Sequence, residues 1–301
     1  MKCKGVLLDY LSAPAKDMLQ REKIIMTDVT GKTAWITGAS SGIGEALAKS
    51  FVANGGACVL SGRNVAELER VSHDSGAPGR CMILPFDTTD LECLPAMVGA
   101  AIGFCGHIDI LVNNAGISQR SLAVETDFSV YEKIVAVDLM APIALTQAML
   151  PHFVTRGSGQ LIMISSVAGK VGVPMRTAYC AAKHGLIGYA DALRAEVAGQ
   201  GTRVLVVTPG SIRTNVSRNA LNADASVRGV SDKAIENGID PNDAARLIWD
   251  AVASGTRELV IAQGMEAEMP KLRAHDPEKL FDMVEALVAS GYAAKMSVPD
   301  S

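Results

Sequence analysis

A short apolar run, Thr33-Ala34-Trp35-Ile36-Thr37, passes directly into Gly38-Ala39-Ser40-Ser41-Gly42-Ile43-Gly44, and a helical pattern follows to Ala53. This stretch constrains the chain more than any other. Apolar and β-branched residues in so short a run read as a buried strand. A glycine-rich turn between a strand and a helix is the setting of a dinucleotide site. Gly38 permits the tight turn, Gly42 lets backbone approach a pyrophosphate, and Gly44 allows the helix to pack closely on the strand. The helix N-terminus then offers free N–H groups to phosphates. The spacing is Gly-x3-Gly-x-Gly, and such a turn taken alone is equally compatible with plain structure.

The same alternation recurs downstream. Ala57–Ser61 is the second strand, and an acidic residue at its end would bond the ribose hydroxyls of NAD and repel a 2′-phosphate. The chain has Ser61-Gly62-Arg63-Asn64 instead. Arg63 suits a charge-assisted pair with a 2′-phosphate, which favours NADP over NAD; its plainer role is a solvated surface arginine. A third strand at 81–85 ends in Phe86-Asp87-Thr88. Asp87 could accept from an adenine amino group or cap the helix that starts near Asp90. Further strands are expected at 108–112, 160–165, 203–208 and 258–262, with helices at 130–146, 177–198 and 243–254. Asn113-Asn114-Ala115-Gly116 after the fourth strand would let a cofactor lie against backbone while an asparagine ties neighbouring strands together. Strands alternating with helices predict a parallel, doubly wound, seven-stranded α/β sheet in a single domain over residues 26–301. Residues 215–240 are polar and glycine- or serine-dotted, either a lid over substrate or a plain connection. Residues 265–301 form a helical tail with an amphipathic helix at 277–289.

Composition narrows the partners. Hydrophobic residues make up 49% and charged residues 20% of the 301, enough for a buried core. The net charge, 28 − 32 = −4, comes with no long basic run, which argues against nucleic acid and anionic membrane surfaces. Six cysteines form no Cys-x2-Cys pair and read as reduced thiols of a cytoplasmic protein, with no metal-ligand cluster. Residues 1–25 hold no apolar stretch long enough to span a bilayer and lack the pattern of a signal peptide. They read as a flexible extension before a natural start at Met26. The rival reading is an amphipathic arm that uses Val6, Leu7, Leu8 and Leu11 against a partner.

The chemistry centres on Tyr179-Cys180-Ala181-Ala182-Lys183. Positions i and i+4 share a helix face, so the phenol and the ammonium project side by side. A free tyrosine has a pKa near 10, and a cation beside it favours the phenolate. Ser166 stands thirteen residues earlier, at the end of a strand, where its hydroxyl could bond the substrate oxygen that the tyrosine protonates. This suits interconversion of a carbonyl and an alcohol. Taken alone, the pair could equally be a solvated helix face. Met175 and Arg176 are secondary candidates for substrate contact.

Together these residues resemble the short-chain dehydrogenase/reductase family over residues 31–262. Five pieces fall in the family's order: Thr37-Gly38-x3-Gly42-Ile43-Gly44, Asn113-Asn114-Ala115-Gly116, Ser166, Tyr179-x3-Lys183, and Pro209-Gly210 with Thr214. The stretches 113–122 and 179–184 are most like the family's dehydrogenase/reductase member 7 branch, whose members often carry a membrane segment. The resemblance implies a Rossmann sheet with Tyr179 as general acid/base. Lys183 would lower the tyrosine's pKa and bind the nicotinamide ribose, and Ser166 would polarise the substrate oxygen. Gly38, Ser40, Ser41, Ile43, Arg63, Asp87, Asn114, Ala115, Gly116 and Thr214 would line the cofactor, and Pro209, Gly210 and Ile212 would flank the nicotinamide carboxamide. Where the family usually has a catalytic asparagine, this chain has Asp138, whose carboxylate would stabilise Lys183 as a cation. A homodimer or homotetramer through the 130–146 and 177–198 helices is likewise implied.

The sequence therefore leads to an NADP-dependent oxidoreductase that interconverts a carbonyl and a secondary alcohol on a small molecule. The competing readings are a dinucleotide-binding scaffold or sensor without chemistry, and an epimerase or dehydratase on the same fold. The pocket would be built from 117–121, 167–177 and 211–240, moderately apolar in character.

Overall fold

A computed structural model describes residues 29–293. The readings of residues 1–25 and of Met26 lie outside the described residues, as do residues 294–301. Seven strands form one parallel sheet: β1 (Thr33–Thr37), β2 (Ala57–Ser61), β3 (Cys81–Ile83), β4 (Ile110–Asn113), β5 (Gly159–Ile164), β6 (Thr202–Pro209) and β7 (Glu258–Ile261). Their spatial order is β3-β2-β1-β4-β5-β6-β7. The first three strands step outward in one direction, and the chain then returns to lay β4 beside β1, with Ala34 opposite Ile110. That reversal is the switch point at which open α/β sheets bind ligands.

The strands are apolar because helices cover both faces of the sheet. Every residue of β1 and β5 is buried. On one face lie α1 (Gly42–Ala53), α2 (Val65–Asp74) and α7 (Pro241–Ala253), which contribute Leu47, Phe51, Leu68, Ile248 and Trp249 to the core. On the other lie α3 (Leu94–Cys105), α4 (Phe128–Arg156) and α5 (Thr177–Val197), which contribute Leu145, Met149, Phe153, Leu186 and Leu193. The third strand is shorter than 81–85, although Leu84 N and Phe86 N still donate to Leu60 O and Gly62 O. Pro85 between them has no N–H to give.

Two elements differ from the sequence pattern. The helix expected at 130–146 is one 29-residue helix, α4, apolar enough by length and composition to cross a membrane. In the fold its Leu145, Met149 and Phe153 lie against the sheet. Residues Ala136–Met140 within it form a π-helical turn. Inserted turns of this kind bulge a helix and re-aim a side chain, frequently at functional sites. Among the described residues the tail holds two helices rather than one, α8 (Met265–His275) and α9 (Pro277–Ala289). Between β6 and α7 the chain has one short helix, α6 (Lys233–Glu236), and is otherwise irregular.

Candidate active site

Strands β1, β4, β5 and β6 end at a cavity of about 550 Å³ on the carboxyl side of the sheet. The glycine turn forms its floor. Gly38 and Gly42 have φ of +64° and +60°, a region that side chains disfavour. A Cβ on Gly38 would lie 2.9 Å from Ala115 Cα, and one on Gly42 would lie 2.9 Å from Thr214 Cγ2. Gly44 is different: it does not line the cavity, and a Cβ there would stand 2.3 Å from Gly38 O and 2.6 Å from Asn114 Nδ2. It is the contact by which α1 seats under the turn. At the start of α1 the Ser41 side chain makes no capping bond, so the first-turn amides stay available to an anion. These residues fit the pyrophosphate of a dinucleotide.

The turn is tied to the neighbouring strand. Asn114 Nδ2 donates to Thr37 O at 2.9 Å and to Gly38 O at 3.2 Å. Thr37 Oγ1 accepts from Asn114 N at 3.0 Å and Ala115 N at 3.1 Å. Asn114 is thus the asparagine that joins strands, while Asn113 bonds Thr146 Oγ1 at 2.9 Å behind the sheet. At the far end of the cavity Arg63 is 72% exposed and 3.8 Å from the Asp87 carboxylate. Asp87 also accepts from Thr89 N and Thr89 Oγ1 at 2.9 and 2.7 Å. Burial works against its ionisation, but Thr89 and Arg63 outweigh that and hold the carboxyl below its usual range.

The opposite end carries the reactive groups. Tyr179 and Lys183 lie on α5 with the Lys183 Nζ 5.6 Å from the tyrosine ring centroid. Lys183 is buried and donates to Ile164 O at 3.0 Å. Asp138, carried on the π-turn of α4, is fully buried. Its Oδ1 accepts from Ile117 N at 2.8 Å, and its Oδ2 is 3.1 Å from Lys183 Nζ. That approach is oblique, so the ion pair leaves Oδ2 without a hydrogen-bond partner. Burial pushes the Asp138 carboxyl up, and Lys183 and the Ile117 amide only partly offset it. Burial also opposes the charge on Lys183, but Asp138 and then Tyr179 outweigh it and hold the ammonium above its ordinary value. Lys183 is therefore a cation at neutral pH. Ser166 follows β5; its Oγ accepts from Ala168 N at 3.1 Å and donates to Pro209 O at 3.2 Å.

One cavity collects nearly all the expected residues. Gly38, Ser40, Ser41, Gly42, Ile43, Arg63, Asp87, Asn114, Ala115, Gly116, Asp138, Ser166, Tyr179, Lys183, Pro209, Gly210, Ile212 and Thr214 all line it. Of the expected pocket segments, 167–177 contributes no lining residue. Met175 is buried at φ +65°, and Arg176 reaches Asp232 Oδ2 at 3.3 Å. Residues 118–121 brace the structure: Gln119 Oε1 accepts from Ala178 N at 2.9 Å, and buried Arg120 grips Asp232 at 2.6 Å. Sequence reading missed Lys133 and Val137, which line the cavity from α4 beside Asp138. Lys133 and Val137 are four apart and share a helix face, but Asp138, five and one residues from them, joins that face only through the π-turn. It also did not single out Val216, Asn219, Leu221 and Val227, which close the reactive end. They come from irregular chain, where no periodicity marks them.

A parallel sheet with a dinucleotide cradle at its switch point and a tyrosine–lysine pair beside it defines a nicotinamide-dependent oxidoreductase fold. The short chain dehydrogenase family model matches residues 32–225, and the chain belongs to the short-chain dehydrogenase/reductase family. It is 37% identical over 271 residues to dehydrogenase/reductase SDR family member 7B of Danio rerio, covering 86% of this chain and 87% of that one. Among solved structures, a short-chain dehydrogenase/reductase from Burkholderia phymatum in complex with NAD has a TM-score of 0.75 at 22% identity, covering 83% of this chain and 95% of that one. A metagenomic short-chain oxidoreductase in complex with NADP has a TM-score of 0.64 at 28% identity, covering 79% and 100%. The class of cofactor is thus a nicotinamide dinucleotide.

Proposed function

We propose that the protein is an NADP-preferring oxidoreductase that interconverts a carbonyl and a secondary alcohol on a small, moderately apolar substrate. The observation that carries this is Tyr179, half-buried and facing the cavity, with the Lys183 cation fixed beside it. When bound, the cofactor supplies or accepts the hydride. Tyr179 gives the proton to the nascent alkoxide in reduction and takes it back in oxidation. Ser166 turns its hydroxyl from Pro209 O to the substrate oxygen and polarises it. Lys183, charged by its pairing with Asp138, supports the phenol electrostatically and is placed to hold the ribose. Ile117, Val216, Leu221 and Val227 favour an apolar body on the substrate, with the Asn219 amide as a polar contact.

Preference for NADP rests on Arg63, which is exposed and turned toward the cavity, with no carboxylate at the end of β2. A 2′-phosphate would draw it from Asp87 by a stronger, bidentate contact. Association into a dimer or tetramer through α4 and α5, and a cytoplasmic location, belong to the same proposal; exposed Phe128 and Met140 on α4 suit the former. Fluorescence titration with NADPH and NADH, on wild type and Arg63→Ala, tests the cofactor. Tighter NADPH binding that is lost in the variant supports the reading; equal binding indifferent to Arg63 removes the NADP preference. Tyr179→Phe is expected to bind cofactor normally while turnover falls by about 10²–10⁴-fold. Unchanged turnover in that variant would overturn the assignment of the acid/base, and a wild type that binds cofactor but reduces no carbonyl would point to a scaffold.

A further inference from the structure

The turn Pro209-Gly210-Ser211-Ile212 lines the reactive end of the cavity through Pro209, Gly210 and Ile212. Its other side is gripped from the tail. Glu266, in the first turn of α8, accepts from Ser211 N at 2.7 Å through Oε2 and from Ser211 Oγ at 2.7 Å through Oε1. Both are charge-assisted bonds, the stronger class of hydrogen bond. The helix N-terminus favours a carboxylate at this position. The contact is close: a Cβ on Gly210 would stand 2.4 Å from Glu266 Oε2, so only glycine leaves room for the carboxylate. Gly210 N also donates to Ile261 O at 2.8 Å, and Ser211 O accepts from Ile239 N at 3.0 Å.

A second contact reaches the other wall of the same site. Leu280 of α9 is buried with Val167 and Val171, and Met269 and Leu272 of α8 pack against them. Val167 directly follows Ser166, whose hydroxyl in turn bonds Pro209 O. The two tail helices therefore hold both the serine loop and the 209–212 turn without lining the cavity. A decorative tail would bury apolar surface only; here a charged side chain is spent on a single backbone turn at the site.

We propose that Glu266 is a positioning residue: through Ser211 it fixes the Pro209–Ile212 turn, so that the C-terminal helices set cofactor affinity from outside the pocket. This rests on the reading of the cavity as a nicotinamide site. The test compares wild type with Glu266→Ala, Glu266→Gln and Ser211→Ala as full-length chains. Cofactor Kd is measured by NADPH and NADH fluorescence, kcat and KM with a carbonyl substrate, and amide hydrogen exchange over 210–214 without cofactor. In Glu266→Ala, exchange over 210–214 is expected to rise about tenfold and cofactor Kd to rise about tenfold or more, the loss of two bonds to a charged group. Glu266→Gln, which can still accept from Ser211 N and donate to Ser211 Oγ, restores affinity to within about threefold. Ser211→Ala removes one bond and falls between. If Glu266→Ala fails to fold, the Ser211→Ala and Glu266→Gln results decide. Exchange and Kd within twofold of wild type in the Ala variants, with wild type binding cofactor, would overturn the proposal alone. Absence of dinucleotide binding by wild type would overturn both this proposal and the function it rests on.

Discussion

At the scale of single residues, the site depends on atoms that are missing as much as on those present. Gly44 lies inside α1, where alanine would favour the helix by about 1 kcal/mol. Its added Cβ would stand 2.3 Å from Gly38 O and 2.6 Å from Asn114 Nδ2, and neither can retreat without opening the turn. Overpacking of this kind costs about 1–3 kcal/mol, so the clash outweighs the propensity. Gly44→Ala is expected to lose dinucleotide binding and to melt below wild type; thermal melts with and without NADPH check it, and intact binding would refute the packing argument. Asp138→Asn keeps a bond to Ile117 N and leaves the Lys183 charge unbalanced beside Tyr179. Turnover should persist, with a pH profile that differs from wild type because the Asp138 carboxylate no longer pairs with Lys183. A folded but inactive variant would give the carboxylate a direct part in proton transfer. That Asp138 occupies this place was legible from the family pattern. That it is fully buried against Lys183 was not, because the contact joins two helices distant in sequence.

At the scale of elements, the segment 215–240 shows where local pattern fails. Read alone it is a polar connection, yet Ser217, Ala220, Leu221 and Asp232 are buried. Leu221 packs with Val130, Ile134 and Ala178, and Asp232 draws three arginines together: it meets Arg120 at 2.6 Å, Arg176 at 3.3 Å, and Arg228. Burial presses Arg120 down to about 10, and the neighbouring Arg176 adds to it. Burial resists ionisation of Asp232, but the three arginines outweigh it and lower its pKa. A carboxyl depressed in the fold stabilises above its unfolded pKa, near 4, and that stability is lost as pH falls through the depressed value. Urea unfolding from pH 7 to pH 2 should therefore show an acid loss that is smaller in Asp232→Asn than in wild type, the remainder coming from other depressed carboxyls such as Asp87 and Asp109. Asp232→Ala at pH 7 is expected to cost about 3–5 kcal/mol, since it strands buried guanidinium groups; a loss under 1 kcal/mol would mean the cluster is hydrated and dispensable. Helix α8 escaped the sequence pattern for a related reason. Pro270 lies inside it, none of its residues is fully buried, and it is held by contacts distant in sequence: Glu266 on Ser211, and Met269 and Leu272 against Val167, Val171 and Leu280.

Across the whole molecule, the helices that cover one face of the sheet are joined by contacts between distant stretches of the chain. Phe51 of α1 and Trp249 of α7 have ring centroids 4.9 Å apart, and Trp249 Nε1 donates to Ser50 Oγ at 3.0 Å. Phe51→Ala should lower the free energy of unfolding by about 3–5 kcal/mol through the cavity it leaves. Denaturant melts check this, and a loss below 1 kcal/mol would show that α7 collapses onto the gap. By itself, the sequence determined the parallel α/β class, the bounds of β1 and β2, the glycine cradle and the identities of Ser166, Tyr179 and Lys183. These are written along the chain itself, in the alternation of strand and helix patterns, in short glycine and Tyr-x3-Lys spacings, and in the family resemblance they carry together. The tertiary structure alone decided the strand order, the π-turn that buries Asp138, the apolar wall from 216–227 and the grip of Glu266 on Ser211. Those depend on which distant surfaces exclude water together, and that is settled by packing of the complete chain, not by any window of it.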